Sequence, residues 1–486
     1  MQARIHNIEM KQQHLRTPFI LLSFFVAIIS IIGGCANPIA PQGGPKDTLA
    51  PVLMLSNPKD STSNFNANRI TFTFNEFIQL DKVQENLIVS PVPKTNPTVE
   101  SKLRTITIKI KDTLEPNTTY SYNFGNAIKD VNEGNIAKNF TYVFATGKNI
   151  DSFQLAGKVI LAQDGKTDST LVAMLHRNGD DSALIKEKPR YIARVDGSGN
   201  FHFRNLPGGT FYLYALKDEG GQHKYLSKKQ LFAFAGRPIT ISAKNTPDTL
   251  YAFVEKDTSK PVAAIVPSRP AGTAPKGDKT KEQDKRLKFG NNLDNGSQDI
   301  LGNLEFSFPD KLKRFDSSKV VFTDEAFKPI SNYNFSLDTS GRKITLKYKW
   351  IENTSYHLLI DKEFAEDSIG RKITRSDTLN FKTKKEADYG SIRLTFNKLD
   401  FSKNPVLQLM IGEEIKYSER LNTSKFYLKL FKPGEYEIRI LEDANNNAVW
   451  DSGEFFGKHL QPEKIIPVKR KLVVKANWDN DVNVEL

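Results

Sequence analysis

Cysteine is almost missing from this chain, with one residue, Cys35, in 486. A lone cysteine excludes an internal disulfide, so that residue needs another explanation. Histidine is scarce too, and its seven copies are scattered with no HExxH or other paired metal spacing. No phosphate-cradling glycine loop and no dinucleotide fingerprint occurs. The stretch Gly197-Ser198-Gly199 imitates a nucleophile serine, but it sits in Asp196-Gly-Ser-Gly-Asn200, which reads as a hairpin turn and not as a strand-to-helix elbow. Long helical periodicity is hard to find. These absences lead us to expect a protein that is not an enzyme.

What the chain does contain is strand chemistry. Phe, Thr, Ile, Val and Tyr recur in short runs separated by Gly, Pro, Asn and Asp, the composition of strands and tight turns. Apolar residues make up 38% and charged residues 26%, enough for packed cores beneath polar surfaces. The length fits about three or four domains. The expected fold class is all-β.

The N-terminus reads as an address and an anchor. Residues 19–32, FILLSFFVAIISII, form an apolar run too short for a comfortable membrane span, and Lys11 and Arg16 precede it as in a secretory signal. Met10 would make a more typical start than Met1. Ile32-Gly33-Gly34-Cys35 follows, and it resembles the lipobox of bacterial lipoproteins: an aliphatic residue, small residues, then the cysteine whose thiol accepts the lipid. That resemblance implies a signal peptide over 1–34, a covalent lipid on Cys35 and anchorage in an outer membrane, with either leaflet open. Residues 35–50 would be a tether made flexible by Pro and Gly. The net charge of +13 would otherwise raise nucleic acid as a partner; export argues against it. Outside the cytoplasm the same charge would favour anionic headgroups, polysaccharide or acidic protein patches.

Two sequence styles each occur twice, which predicts four modules in the order A–B–A′–B′. In residues 51–148, Arg69-Ile-Thr-Phe-Thr-Phe-Asn-Glu76 and Leu103-Arg-Thr-Ile-Thr-Ile-Lys-Ile110 alternate at period two. Asn117-Thr-Thr-Tyr120, Asp130-Val-Asn-Glu-Gly-Asn135 and Phe144-Ala-Thr-Gly147 follow. This segment resembles the bacterial Ig-like domain of S-layer proteins. The same landmarks return in residues 286–385 as Leu304-Glu-Phe-Ser-Phe308, Asn353-Thr-Ser-Tyr356, Asp367-Ser-Ile-Gly370 and Phe381-Lys-Thr383. The second style, residues 152–255, carries Asp196-Gly-Ser-Gly-Asn-Phe201 and Leu206-Pro-Gly-Gly-Thr-Phe-Tyr212, where glycine supplies positive φ and proline presets the turn. It is similar to the transthyretin-like or carboxypeptidase-regulatory-like β-sandwich. Residues 388–486 echo it in Leu430-Phe-Lys-Pro-Gly-Glu-Tyr436. Residues 257–285, rich in Pro, Ala, Gly and Lys, read as a disordered linker.

One stretch has chemical content of its own. Asp443-Ala-Asn-Asn-Asn-Ala-Val-Trp-Asp-Ser-Gly-Glu454 places oxygen ligands at calcium-loop positions: Asp443, Asn445, Asn447, the carbonyl of Val449, Asp451 and Glu454. Ala448 stands where such loops turn on glycine. The competing reading is an Asn-rich turn whose side chains cap their own backbone. Trp450 reads as packing against the loop or as a sugar platform. An acylated N-terminus, an Ig-like domain, the Asp/Asn loop with Trp450-Asp451, then Gln461-Pro-Glu463 and Asn477-Trp478 together resemble lipoproteins of the Bacteroidota. The expected function is a structural or adaptor component of the envelope that binds an outer-membrane or surface protein. The alternative is a carbohydrate- or cell-wall-binding lipoprotein, and a hydrolase ranks last.

Overall fold

The computed structural model describes residues 46–256 and 286–486. Cys35, the apolar run before it, most of the tether and the linker at 257–285 lie outside the described residues. The protein is all-β, and its strands build four sandwiches around four separate apolar cores.

In the first sandwich the period-two pattern does what alternation requires. Strand Arg69–Phe74 buries Ile70, Phe72 and Phe74 and turns its threonines outward. It pairs with Thr105–Lys109 so that Ile70 faces Ile108 and Phe72 faces Ile106. The edges of this sheet are Leu53–Asn57 and Thr98–Lys102. The opposing sheet, Ile88–Ser90, Thr119–Asn123 and Thr141–Ala145, contributes Tyr122, Tyr142 and Phe144 to the same core. The third sandwich repeats this order: Gly290–Asn291, Leu304–Ser307, Lys343–Lys347 and Asn334–Leu337 form one sheet. Val320–Asp324, Ser355–Ile360 and Asp377–Thr383 run through the other, in the same succession as their first-sandwich counterparts.

The shared landmarks have shared physical jobs. Asp130 is buried and its carboxylate accepts the N–H groups of Glu133, Gly134 and Asn135 at 2.6–2.9 Å, closing the turn. Asp367 accepts the N–H groups of Ile369 and Arg371 in the same place. Asn117 and Asn353 both occupy the left-handed region that asparagine tolerates. Thr146 and Thr383 each tie the last strand back, accepting from the N–H of Thr118 and Thr354 respectively.

The second and fourth sandwiches also share a topology. In the second, Phe153–Leu161 lies between antiparallel Asn200–Leu206 and parallel Asp248–Ala252. In the fourth, Gly390–Asn397 lies between antiparallel Lys425–Phe431 and parallel Asp479–Glu485. The facing sheets run Tyr191–Arg194, Leu171–His176, Gly209–Lys217, Phe232–Phe234 and Glu414–Arg420, Pro405–Ile411, Gly434–Glu442, Lys464–Pro467. The Asp196 carboxylate accepts from Ser198 and Asn200 at 2.8 Å, which makes Gly197-Ser198-Gly199 the hairpin turn its sequence predicts.

Contacts between sandwiches do not follow chain order throughout. First and second meet through Arg190, whose guanidinium makes two 2.6 Å bonds to Glu115, and through Arg194 on the Glu85 carbonyl. Third and fourth meet where Asp299 takes Tyr389 and Lys432. The second sandwich, however, packs against the fourth.

Candidate functional site

Strand Gly434–Glu442 ends at Asp443, and the chain wanders to Glu463 before rejoining the sheet at Lys464–Pro467. The Asp/Asn stretch forms the base of this excursion. Asp443 is fully buried; its Oδ1 accepts the Asn447 N–H at 3.1 Å, and its Oδ2 accepts the Ala448 N–H at 2.7 Å and the Arg420 guanidinium at 2.8 Å. Burial alone would raise this carboxyl, but the N–H groups and Arg420 outweigh it and hold it below the usual carboxylate range. Asn445 Oδ1 and Asn447 Oδ1 accept the N–H groups of Asn447 and Val449, the self-capping geometry of Asx turns. Both amide groups donate to Asp451 Oδ2, and Lys256 pairs with Asp451 Oδ1.

Of the six predicted calcium ligands, Asp443, Asn445, Asn447 and Asp451 are brought together. Val449 continues the turn with an exposed side chain, and Glu454 turns away to Lys458 at 2.7 Å. The acid that closes the loop is one the sequence reading missed. Glu463 accepts the Ala444 N–H and the Asp451 N–H, each at 2.9 Å, and burial raises its carboxyl. Among the described residues, no group of three or more His, Cys, Asp or Glu side chains is placed to hold a metal ion. Positive charge at the loop comes from Arg420 and Lys256. As folded, the Asn445 and Asn447 side-chain oxygens are taken up by backbone N–H groups and the Asp451 carboxylate by Lys256 and the two amides.

Beyond Asp451 the excursion becomes a clasp. Glu454 and Leu460 pair through their backbones, so residues 455–459 form a tip that projects onto the outer face of the second sandwich. Phe455 is buried there, with ring centroids 5.2 Å from Phe232, 5.1 Å from Phe234 and 5.9 Å from Tyr214. Phe456 stacks on Tyr225 at 5.5 Å. Edge-to-face and stacked rings at these separations are favourable beyond the area they bury. Polar contacts surround the rings. The buried carboxylate of Glu255 accepts the Phe455 N–H and the Tyr225 hydroxyl, and Lys228 pairs with it at 3.0 Å. His459 Nε2 meets Asp181 Oδ1 at 2.7 Å, and the Gln461 amide donates to the Phe234 carbonyl at 3.0 Å. The Ile465 N–H donates to the Ala162 carbonyl.

Trp450 packs against Val406, Leu441 and Ile465, and its Nε1 donates to the Glu463 carbonyl at 2.8 Å. It is a packing residue. The sequence did carry a signal for the clasp. Leu171–His176 and Phe211–Leu216 are apolar without alternation, so both faces of those strands need cover. One face lines the sandwich core, and the other receives Phe455.

Residues 47–146 match the model of the bacterial Ig-like domain. No curated protein matches the chain. Among solved structures, the Bacillus anthracis TIE protein aligns at 12% identity over 92% of this chain and 76% of its own, with a TM-score of 0.16. The major pilin subunit of Bacillus cereus aligns at 10% identity over 68% and 99%, also at 0.16. The BSP domain of a biofilm-associated protein aligns at 10% over 82% and 96%, at 0.15. At these scores the likeness carries no argument. Among the described residues no helix is long and apolar enough to cross a membrane.

Proposed function

We propose that this chain is a non-enzymatic structural or adaptor protein of a bacterial envelope, anchored by lipid at Cys35 and docking to an outer-membrane or surface protein. The observation that carries the reading is the clasp. The most chemically distinctive stretch of the sequence, from Asp443 to Glu463, turns the Asp443 and Glu463 carboxylates onto its own backbone and sends Phe455, Phe456 and Gln461 to another sandwich. A chain that holds its modules against one another offers a braced surface with loops and sheet edges for a partner. The lipobox-like Ile32-Gly33-Gly34-Cys35 supplies the anchor, and the likeness to lipoproteins of the Bacteroidota supplies the outer membrane. The test is labelling with radioactive fatty acid followed by pull-down from gently solubilised membranes. Label on Cys35 and a reproducible partner support the proposal; an unlabelled protein in the cytosol, or a monomer recovered alone every time, contradicts it.

Carbohydrate binding is the second reading, and Trp478 favours it. Its ring is 63% exposed, with the Lys475 ammonium 5.0 Å from its centroid. Retention on purified cell wall that is lost in Trp478→Ala would support this reading, and no retention would retire it.

A further inference from the structure

One pole of the first sandwich is unusually greasy. The hairpin joining Thr98–Lys102 to Thr105–Lys109 has only two residues in its turn, Leu103 and Arg104. Leu103 sits at φ 54°, in the left-handed region where glycine is favoured, and is 67% exposed. A branched apolar side chain held in that conformation and pointed at water gains nothing for the fold. Phe77, whose ring lies under the Arg104 guanidinium at 5.2 Å, is beside it: the neighbouring Ile78 N–H bonds the Leu103 carbonyl. Val131 joins them, its N–H donating to the Phe77 carbonyl. Val52 is bonded to the side chain of Asn75 at the end of the adjacent strand, and Leu49 precedes it. Leu49, Val52, Phe77, Leu103 and Val131 are all exposed. From this pole Thr105–Lys109 runs toward Glu115 at the opposite end, which meets Arg190 of the second sandwich.

The N-terminal segment enters at the same pole. Asn135 donates to the Asp47 carbonyl there, one residue after Lys46, where the described chain begins. Ten residues lie between Cys35 and Lys46, a reach of at most about 40 Å. We infer that this pole is a membrane-contacting face, in which Leu103, Phe77, Val131, Val52 and Leu49 enter the headgroup layer of the bilayer to which Cys35 is anchored. The inference rests on the proposed lipid anchor. The charge at the pole selects the lipid. Glu76 has its carboxyl raised, first by burial and then by the neighbouring Asp130, Asp47 and Glu133. These acids lie at the same pole as Arg104, whose charge they offset, so the pole offers no net attraction to an anionic surface and the occupant is a zwitterionic headgroup region entered by apolar side chains.

Because Cys35 is the only cysteine, Leu103→Cys in full-length acylated protein carries one free thiol, which accepts a nitroxide label. Ser198→Cys, in the exposed turn of the second sandwich, is the control. Both are placed in vesicles of phosphatidylcholine and phosphatidylethanolamine. The face predicts that the label at 103 shows at least about a twofold higher ratio of oxygen to nickel-chelate accessibility than the label at 198, as for a group a few Å inside the interface. Equal ratios on protein whose Cys35 is acylated by mass would overturn the inference and leave the anchor standing. A label at 103 shielded from both reagents would mean a protein contact and would also overturn it. A Cys35 without lipid would remove the anchor and the membrane face together.

Discussion

Phe455 of the fourth sandwich rests on Phe232 of the second, with ring centroids 5.2 Å apart and planes tilted by 68°, although 223 positions separate the two residues. Glu255 binds the Phe455 backbone from one side, and His459 reaches Asp181 from the other. The contact joins the second and fourth sandwiches, the two built around a central strand with one antiparallel and one parallel neighbour.

Phe455→Ala should open this joint. Removing a buried phenylalanine costs about 3–5 kcal/mol when its site cannot collapse. The loss should appear as a split of one calorimetric transition into two, with faster amide exchange in Phe232–Phe234 and no change in the first sandwich. An unsplit transition with unchanged exchange would contradict the clasp.

Gly453→Ala tests the same joint without removing apolar surface. A Cβ there would meet the Leu460 carbonyl oxygen and the Phe253 ring, both at 2.6 Å. The expected outcome is the same split transition. A variant as stable as the parent would show that the loop has room the structure denies it.

Acid should loosen the second sandwich through His176. Its side chain is 1% exposed, packs edge-on to Tyr214, and burial holds its pKa down at about 4, with Glu187 opposing weakly. The unfolded chain binds a proton near the ordinary value of about 6.5, while the folded chain resists it down to about 4. The neutral form's contribution is therefore complete above about pH 6.5 and is lost progressively as pH falls toward 4, by about 3 kcal/mol at most. Urea melts of the parent at pH 7.5 and 4.5 should differ more than those of His176→Leu. Parallel losses in both would contradict this.

The Asp/Asn loop should hold its shape on its own bonds. Asp443→Ala leaves the part-exposed Arg420 without its carboxylate partner and the Ala448 N–H without an acceptor, while the Asn447 N–H keeps Asn445 Oδ1; the expected loss is about 1–3 kcal/mol. Millimolar Ca²⁺ or a chelator should leave the melting temperature of the parent unchanged. A rise with Ca²⁺ would mean that the ion displaces Lys256 from Asp451, and calcium would return to the loop.

Much of this was legible in the residues, for reasons that also explain the remainder. Alternation at Arg69–Phe74 gives a half-buried strand because side chains of a strand face opposite sides. Asp130, Asn117 and Thr146 announce turns and ties because short-range geometry alone sets their partners. The loop at Asp443 was visible as a loop, but Glu463 was not visible as the acid that closes it, since it lies beyond the spacing a calcium loop uses. Glu454, which has the right spacing, pairs with Lys458 instead. The non-alternating Leu171–His176 and Phe211–Leu216 show that a second cover exists. They do not identify it, because Phe455 shares no periodicity with the strands it covers.

The most direct measurement is zero-length carbodiimide cross-linking of the full-length protein, read by mass spectrometry of its peptides. Lys256 and Asp451 form an ion pair across 195 positions and should be recovered as a joined peptide, alongside Lys432 joined to Asp299 from the fourth and third sandwiches. Recovery of the second pair without the first would contradict the clasp between second and fourth sandwiches.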